Sequence, residues 1–369
     1  MSPSTRPVVL VIDDQRSDGM ALKRLVGPNA EVVVRTPDEF TESDLRGADL
    51  VLVDYELDDW SGARASLAAP PNGLALSAVV REQINNSVGK VTGVALYSGR
   101  VRSISGTLPE ELRGFAVARL CNLEWVFEKN SEQAPAGVVS LARAIRQLPP
   151  QWPEEAAEAT RSLHALLGLA PNAPFFATAA DDISACHPPI HELSTATHAL
   201  AVIRWMAHRI LPYPAFLTDL IGMAARLRIE VAELERLLRG KSKLARELDS
   251  VRYKGILCDL YGPHWWRSGL DDLVFQWTDG TGGVDALHRA VNRLAARKVK
   301  FLAHEVVPAI DESYRANELV EVNDALRVQL DDWPPYADDA WAERELVLDS
   351  ERLRGLVVAS DAELLGDDD

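Results

Sequence analysis

Cysteine is scarce in this chain. Cys121, Cys186 and Cys258 are scattered and odd in number across 369 residues, so no disulfide framework is implied. Long apolar runs are missing as well. None is long enough to span a bilayer, and no membrane partner is expected. Met1 to Pro7 lacks the basic region and long apolar core of a signal peptide, so the expected location is cytoplasmic. Familiar catalytic sets are absent too: there is no nucleophile elbow, no phosphate-cradling glycine loop and no His-Glu-x-x-His. Asp279-Gly280-Thr281-Gly282-Gly283 is glycine-rich, but it follows no clear strand and reads as a flexible loop. No internal repeat is evident.

Basic charge is in deficit, with 39 Lys and Arg against 55 Asp and Glu, a net charge of −16. This argues against broad nucleic-acid binding and leaves room for a local basic patch. The deficit is uneven. Residues 1–150 carry −3, residues 151–330 carry −3, and residues 331–369 carry −10. An acidic C-terminal segment ending Gly366-Asp367-Asp368-Asp369 is expected to be solvated and partly disordered. The remaining composition, 47% hydrophobic and 25% charged, is ordinary for a globular protein. The length suggests two or three domains.

What is present begins with Val8-Val9-Leu10-Val11-Ile12-Asp13-Asp14. Five apolar residues, four of them β-branched, read as a strand buried on both faces. Two carboxylates close it, at the end where open α/β sheets place their ligand sites. Gln15 to Val26 has the spacing of a helix, stopped by Gly27-Pro28-Asn29. Glu31 to Arg35 is a second strand, and Asp38 to Leu45 a short helix. Asp49 to Asp54 is a third strand, again ending in a carboxylate. After a polar loop over 55–72, Gly73 to Glu82 is helical. Val91 to Ser98 is a strand ending in a hydroxyl. Leu108 to Ala118 is helical, Leu123 to Lys129 is a strand ending in a lysine, and Gly137 to Leu148 is a helix. The alternation predicts an α/β fold with a doubly wound, five-stranded parallel sheet. Pro149-Pro150-Gln151-Trp152-Pro153 reads as a stiff linker, placing one domain at 1–150.

Four predicted strand ends thus carry Asp13 and Asp14, Asp54, Ser98 and Lys129. Three carboxylates around one point suit a hard cation such as Mg²⁺. A carboxylate can act as a nucleophile toward phosphorus. A lysine and a hydroxyl can then hold phosphoryl oxygens.

This set resembles the receiver domain of two-component response regulators over roughly residues 7–148. The likeness rests on Ile12-Asp13-Asp14, Leu52-Val53-Asp54, Leu96-Tyr97-Ser98-Gly99 and Phe127-Glu128-Lys129, with Asn72-Gly73-Leu74 opening a helix. The resemblance implies a receiver/flavodoxin-like fold. It implies that Asp54 accepts a phosphoryl group from a histidine kinase, and that Asp13, Asp14, Asp54 and the Glu56 carbonyl hold Mg²⁺. Ser98 would be the switch hydroxyl and Lys129 the phosphate-binding cation. The sequence departs from the family in four places. The loop before Gly73 and the segment from Ser98 to Lys129 are longer than usual. Asn130 stands where a proline is typical. Val126 occupies the position of the switch aromatic, with Trp125 and Phe127 beside it.

From 154 to 326 the apolar spacing is helical. Helices are predicted at Glu154–Leu167, Leu193–Ile210, Ala215–Leu227, Val231–Lys243, Leu244–Tyr261, Val284–Phe301 and Glu318–Leu330. An all-α output or interaction domain at 151–330 follows. Cys186-His187-Pro188-Pro189-Ile190-His191 gathers a thiol and two imidazoles, but the prolines forbid a helical ligand face. His198 and His208 read as packing or surface residues. Residues 220–243 space like a helix-turn-helix and carry Arg226, Arg228, Arg236, Arg239, Lys241 and Lys243, although the turn Arg228-Ile229-Glu230 lacks the usual glycine. The aromatic cluster Tyr261 to Arg267, with Trp265 and Trp266, reads as core or a subunit interface. The expected function is a phosphorylation-controlled signalling protein whose helical half works through protein contacts or a homodimer. The alternatives are a DNA-binding regulator using 220–243, a phosphate sink, or an effector enzyme.

Overall fold

A computed structural model describes residues 6–57, 70–86, 90–101, 104, 106, 116–195, 199–312, 314–331 and 333–365. The chain divides into two units, neither continuous in sequence. The first is Met1–Gly168 with Pro189–His208 and Gly255–Tyr261. The second is Leu169–Pro188, Arg209–Lys254 and Gly262–Asp369.

The first unit is built on β1 (Val8–Ile12), β2 (Glu31–Arg35), β3 (Leu50–Val53), β4 (Gly93–Ser98) and β5 (Trp125–Glu128). All neighbours are parallel, in the order β2-β1-β3-β4-β5. Every residue of β3 and β4 is buried, which explains why both read as unbroken apolar runs. Helices α1 (Arg16–Val26), α2 (Glu42–Gly47), α3 (Gly73–Asn85) and α4 (Ala134–Gln147) flank the sheet. The α/β sheet is as the sequence implied, and its order is compatible with a flavodoxin-like fold. Helix α2 starts later than Asp38, because Thr41 and Asp44 form a reciprocal capping box that fixes its first turn.

Both ends of β3 carry a buried aspartate, with different partners. At the N-terminal end, Asp49 accepts the Val8 N–H at 2.7 Å and pairs with Lys90 at 2.6 Å. It ties two strand starts together. At the other end, the Asp54 N–H donates to the Ile12 carbonyl at 2.9 Å, and the Asp13 N–H donates to the Arg35 carbonyl at 3.0 Å. These bonds extend the ladder by one rung and set Asp13 beside Asp54 at the carboxyl edge.

The first unit also takes in helices Ala156–Leu166, Ile190–Thr195 and Leu200–Trp205. It therefore extends past the linker expected at 149–153. Helix Leu200–Trp205 packs on α4. Trp125 meets Tyr261 edge-on at 5.3 Å and His208 at 5.8 Å. The flanking aromatics of β5 are thus structural: Phe127 is buried and lies against α4 at Gly137, whereas Val126 points into the opposite core with Leu10, Ile12 and Val51.

The second unit corrects the all-α expectation. Leu217–Thr218 (β6) pairs with Trp265–Trp266 (β7), and β8 (Val306–Ile310), β9 (Ala316–Glu321), β10 (Ala325–Val328) and β11 (Ala340–Glu343) form a sheet in the order β10-β11-β8-β9. The helix predicted at Glu318–Leu330 is β9 and β10. Helices Phe176–Ala185, Arg267–Trp277, Arg344–Asp349 and Glu351–Arg354 lie outside the predicted set. The helix predicted over 244–261 ends at Ser250, where Tyr253 N–H turns to the His264 carbonyl and Trp266 N–H to the Val251 carbonyl. Helices Leu220–Leu227, Val231–Leu238, Lys243–Ser250, Arg267–Trp277 and Val284–Ala295 share one core.

The acidic segment, expected to be solvated and partly disordered, is likewise folded over its described residues up to 365. Val347 and Leu353 close a core with Leu326, Val328 and Ala342. Arg327 grips Asp361 at 2.6 Å and holds its carboxyl down to about 2. Asp361 is thus buried against its arginine, while the segment's apolar residues pack on the sheet. Asp58, Asp59, His198, most of the helix expected over 108–118, and Gly366 to Asp369 lie outside the described residues. Among the described residues, no helix is long and apolar enough to cross a membrane.

Candidate functional site

Asp13, Asp14 and Asp54 converge at the carboxyl edge, with one oxygen of each within 4.8 Å of the others. Asp13 is fully buried and Asp54 is 6% exposed. Burial without matching countercharge is costly for a carboxylate. It pushes Asp54 up to about 6, opposed by the Lys129 charge and reinforced by Asp13. Burial also raises Asp13, against its hydrogen bond with Lys129.

Lys129 supplies the countercharge. Its ammonium lies 2.9 Å from Asp13, 2.9 Å from Asp18 and 3.0 Å from Asp54. Burial disfavours the ammonium, but bonds to Asp13 and Asp18 and the charge of Asp54 more than compensate, so it stays protonated well above its ordinary range. The ring of Tyr97 lies 5.8 Å from the same ammonium. Lys129 N–H also donates to the Ser98 carbonyl at 3.0 Å, which fixes the end of β5 against β4.

Ser98 is buried at the end of β4, where its Oγ accepts the Arg100 N–H at 3.1 Å. The carboxylate of Glu56 pairs with Arg100 at 2.7 Å. Helix α3 begins hard against the Asp54 loop. Its Gly73 N–H donates to the Tyr55 carbonyl at 2.8 Å, and a Cβ on Gly73 would fall 1.6 Å from the Asp54 carbonyl oxygen. Only glycine permits that approach. Asn72 caps the same helix by accepting the Ala75 N–H at 3.0 Å.

The structure therefore brings Asp13, Asp14, Asp54 and Lys129 into one cluster, with Ser98 on the adjacent strand end. Asp18 and Tyr97 were not anticipated. Asp18 stands four residues after Asp14, one helical turn along, and that spacing was its only signal. Cys186 is buried, with its thiol pushed up to about 12 by burial. His208 is buried and donates to the Glu124 carbonyl. Among the described residues, the three aspartates are the one group of His, Cys, Asp or Glu side chains whose donor atoms converge in this way.

The donor set fits a hard cation: three carboxylates, no sulfur and no imidazole. Asp13, Asp14 and Asp54 are the residues that would hold it.

The architecture is that of an open, doubly wound α/β unit with an acidic cluster and one lysine at its carboxyl edge. Compared with protein-family models, with curated proteins and with solved structures, the chain shows no match.

Proposed function

We propose that the first unit is a receiver-type phosphoacceptor, with Asp54 as the residue modified. One observation carries this reading: a single lysine bridges Asp13 and Asp54 at the carboxyl edge of a parallel sheet, with Asp14 within reach of both. A purely structural ion pair needs one carboxylate for one lysine. Here three acids crowd a site whose strand neighbours present a hydroxyl.

The chemistry follows from the side chains. Above pH 6 the Asp54 carboxylate is ionised and is the nucleophile. Its oxygen forms a bond to phosphorus as the phosphorus–nitrogen bond to a partner kinase histidine breaks, and the imidazole leaves with that electron pair. Lys129 then pairs with a phosphoryl oxygen in place of the Asp54 oxygen it now holds. Ser98 accepts from Arg100, which leaves its own hydrogen to donate to another phosphoryl oxygen. A bound Mg²⁺ would neutralise phosphoryl charge as it develops, with the Glu56 carbonyl as a further ligand. Asp13 and Asp14 supply the other two carboxylates of that edge. Through Gly73, movement of the Asp54 backbone is passed directly to α3. Such a shift biases contacts with a second copy or another protein.

The test is labelling with radioactive acetyl phosphate, or with a cognate kinase, in Mg²⁺. Wild type takes up acid-stable, base-labile label; Asp54→Asn takes up none. Wild-type protein that stays unlabelled with every donor overturns the proposal. Light scattering with and without phosphodonor reports whether the oligomeric state follows.

A further inference from the structure

The second unit carries a basic face that the acid-rich composition conceals. Helix Leu220–Leu227 is capped by Asp219, whose carboxylate accepts the Gly222 N–H at 2.8 Å. The chain then turns through Arg228, at φ 54° and ψ 40°, into helix Val231–Leu238. The left-handed conformation that a glycine normally supplies in a helix-turn-helix is thus adopted by an arginine. Its carbonyl accepts the Leu302 N–H at 2.8 Å, and Ile229 bridges Phe301, which hold the turn in place. Ala224, Leu227, Ile229, Leu234 and Leu237 are buried in the shared core. The two helices therefore pack through one apolar seam, and the outer side of the second is left to solvent.

That outer side has a definite composition. Ala232, Arg236 and Arg239 recur at the spacing of one helical face, and all three are exposed. The alanine leaves the first turn unobstructed. Arg236 is held by Glu233, which is itself buried and also binds Arg297 at 3.0 Å. One buried carboxylate so fixes two guanidinia side by side, from two separate segments. Lys300 pairs with Glu230 at 2.5 Å and brings the same segment to the start of the helix. Lys241, Arg246 and Lys298 are exposed and have no ion-pair partner among the described residues. Arg239 pairs with Glu235 at 3.2 Å on the same helix, and even with Glu230, Glu233 and Glu235 counted, basic side chains outnumber acidic ones here in a chain of net charge −16.

We propose that the second unit binds duplex DNA, with helix Val231–Leu238 entering the major groove and Lys241 and Lys298 on the flanking phosphates. An exposed stripe of a small residue followed by two arginines suits a groove, because guanidinium groups reach base edges while alanine admits the backbone. Lysines without an internal anion lose no ion pair when they meet phosphate, and the release of counterions favours the complex. This inference does not rest on phosphorylation of Asp54, and either can fail alone.

The experiment is fluorescence anisotropy of a labelled, mixed-sequence duplex with the full chain, across a salt series. Binding is expected in the range of about 1–100 μM near physiological salt, weakening linearly with log salt. Lys241→Glu/Lys298→Glu should weaken it at least about tenfold and reduce the salt slope by about two. Arg236→Ala/Arg239→Ala should abolish preference for a duplex selected from a random pool. Circular dichroism confirms folding of each variant, and Lys241→Ala alone carries the test if a double variant does not fold. The proposal is overturned by no duplex binding in low salt, by charge reversal that leaves affinity unchanged, or by tighter binding of single-stranded RNA than of duplex.

Discussion

Lys129 lies 2.9 Å from Asp13, on the same carboxylate that a bound cation would need. The ammonium and a divalent ion, if one binds, would therefore compete for one edge of the site. With Asp18 as a second anchor at 2.9 Å, the lysine has somewhere to go when Asp13 and Asp54 are claimed.

Replacing the lysine should expose this competition. Lys129→Met is expected to tighten Mg²⁺ binding by about tenfold, the size of a roughly 1.4 kcal/mol change in a partly buried ion pair. Asp14→Asn should weaken it by a similar factor. Isothermal titration of each variant measures both effects. Equal affinity in wild type and Lys129→Met would show that lysine and cation occupy separate places.

Glu124 offers a sharper stability test. It is fully buried; burial opposes its charge, but Arg81 at 2.9 Å and Arg204 at 2.7 Å outweigh that and hold its carboxyl below the ordinary range. Glu124→Gln keeps the shape and leaves two guanidinia facing a neutral group. The expected cost is about 3 kcal/mol in urea unfolding, the scale for breaking a buried pair from one side. Arg81→Ala should cost more than Arg204→Ala, because Arg204 is 30% exposed and Arg81 only 12%. The reverse order would mean that water screens the pair differently from its geometry.

The buried imidazole of His208 sets a pH window. Burial pushes it down to about 4, and its Nε2 donates to the Glu124 carbonyl at 2.9 Å, so the neutral form is the folded form. The unfolded chain binds a proton near 6.5. Between those values the unfolded state holds more protons, so stability falls as pH falls. By pH 5 the loss from this residue is about 2 kcal/mol. His208→Gln should flatten the stability profile between pH 4 and 6.5, as read from urea midpoints. An unchanged profile would place the sensitivity elsewhere, with buried His264 acting in the same sense.

Much of the first unit was legible because its strands have one solution. Val8 to Ile12 and Leu50 to Val53 are buried on both faces, so their sequences carry no alternation to misread. The aspartates that follow fall at the edge the chain direction dictates. The later sheet was hidden for the opposite reason. Leu319, Val322, Leu326 and Leu330 happen to fall three or four apart, which mimics a helix. Their strands are short, and β10 is defined by its pairing with residues 340–343, which no local window contains. The turn at Arg228 lacks a glycine, as the sequence shows, and Arg228 nonetheless takes the left-handed conformation with Ile229 bridged to Phe301 beside it. Asp18 was missed because a surface-helix acid looks like any other until a lysine from residue 129 reaches it.

The order of synthesis has a stake in the discontinuous first unit. When residue 168 has been made, all five strands exist, yet Arg204 and Tyr261 do not. Until they emerge, Glu124 has one arginine instead of two, and Trp125 has no ring beside it. A nascent chain halted there holds a complete sheet with an unfinished flank. A gene cut at the proline-rich segment would encode the acidic cluster without the residues that seal its last strand.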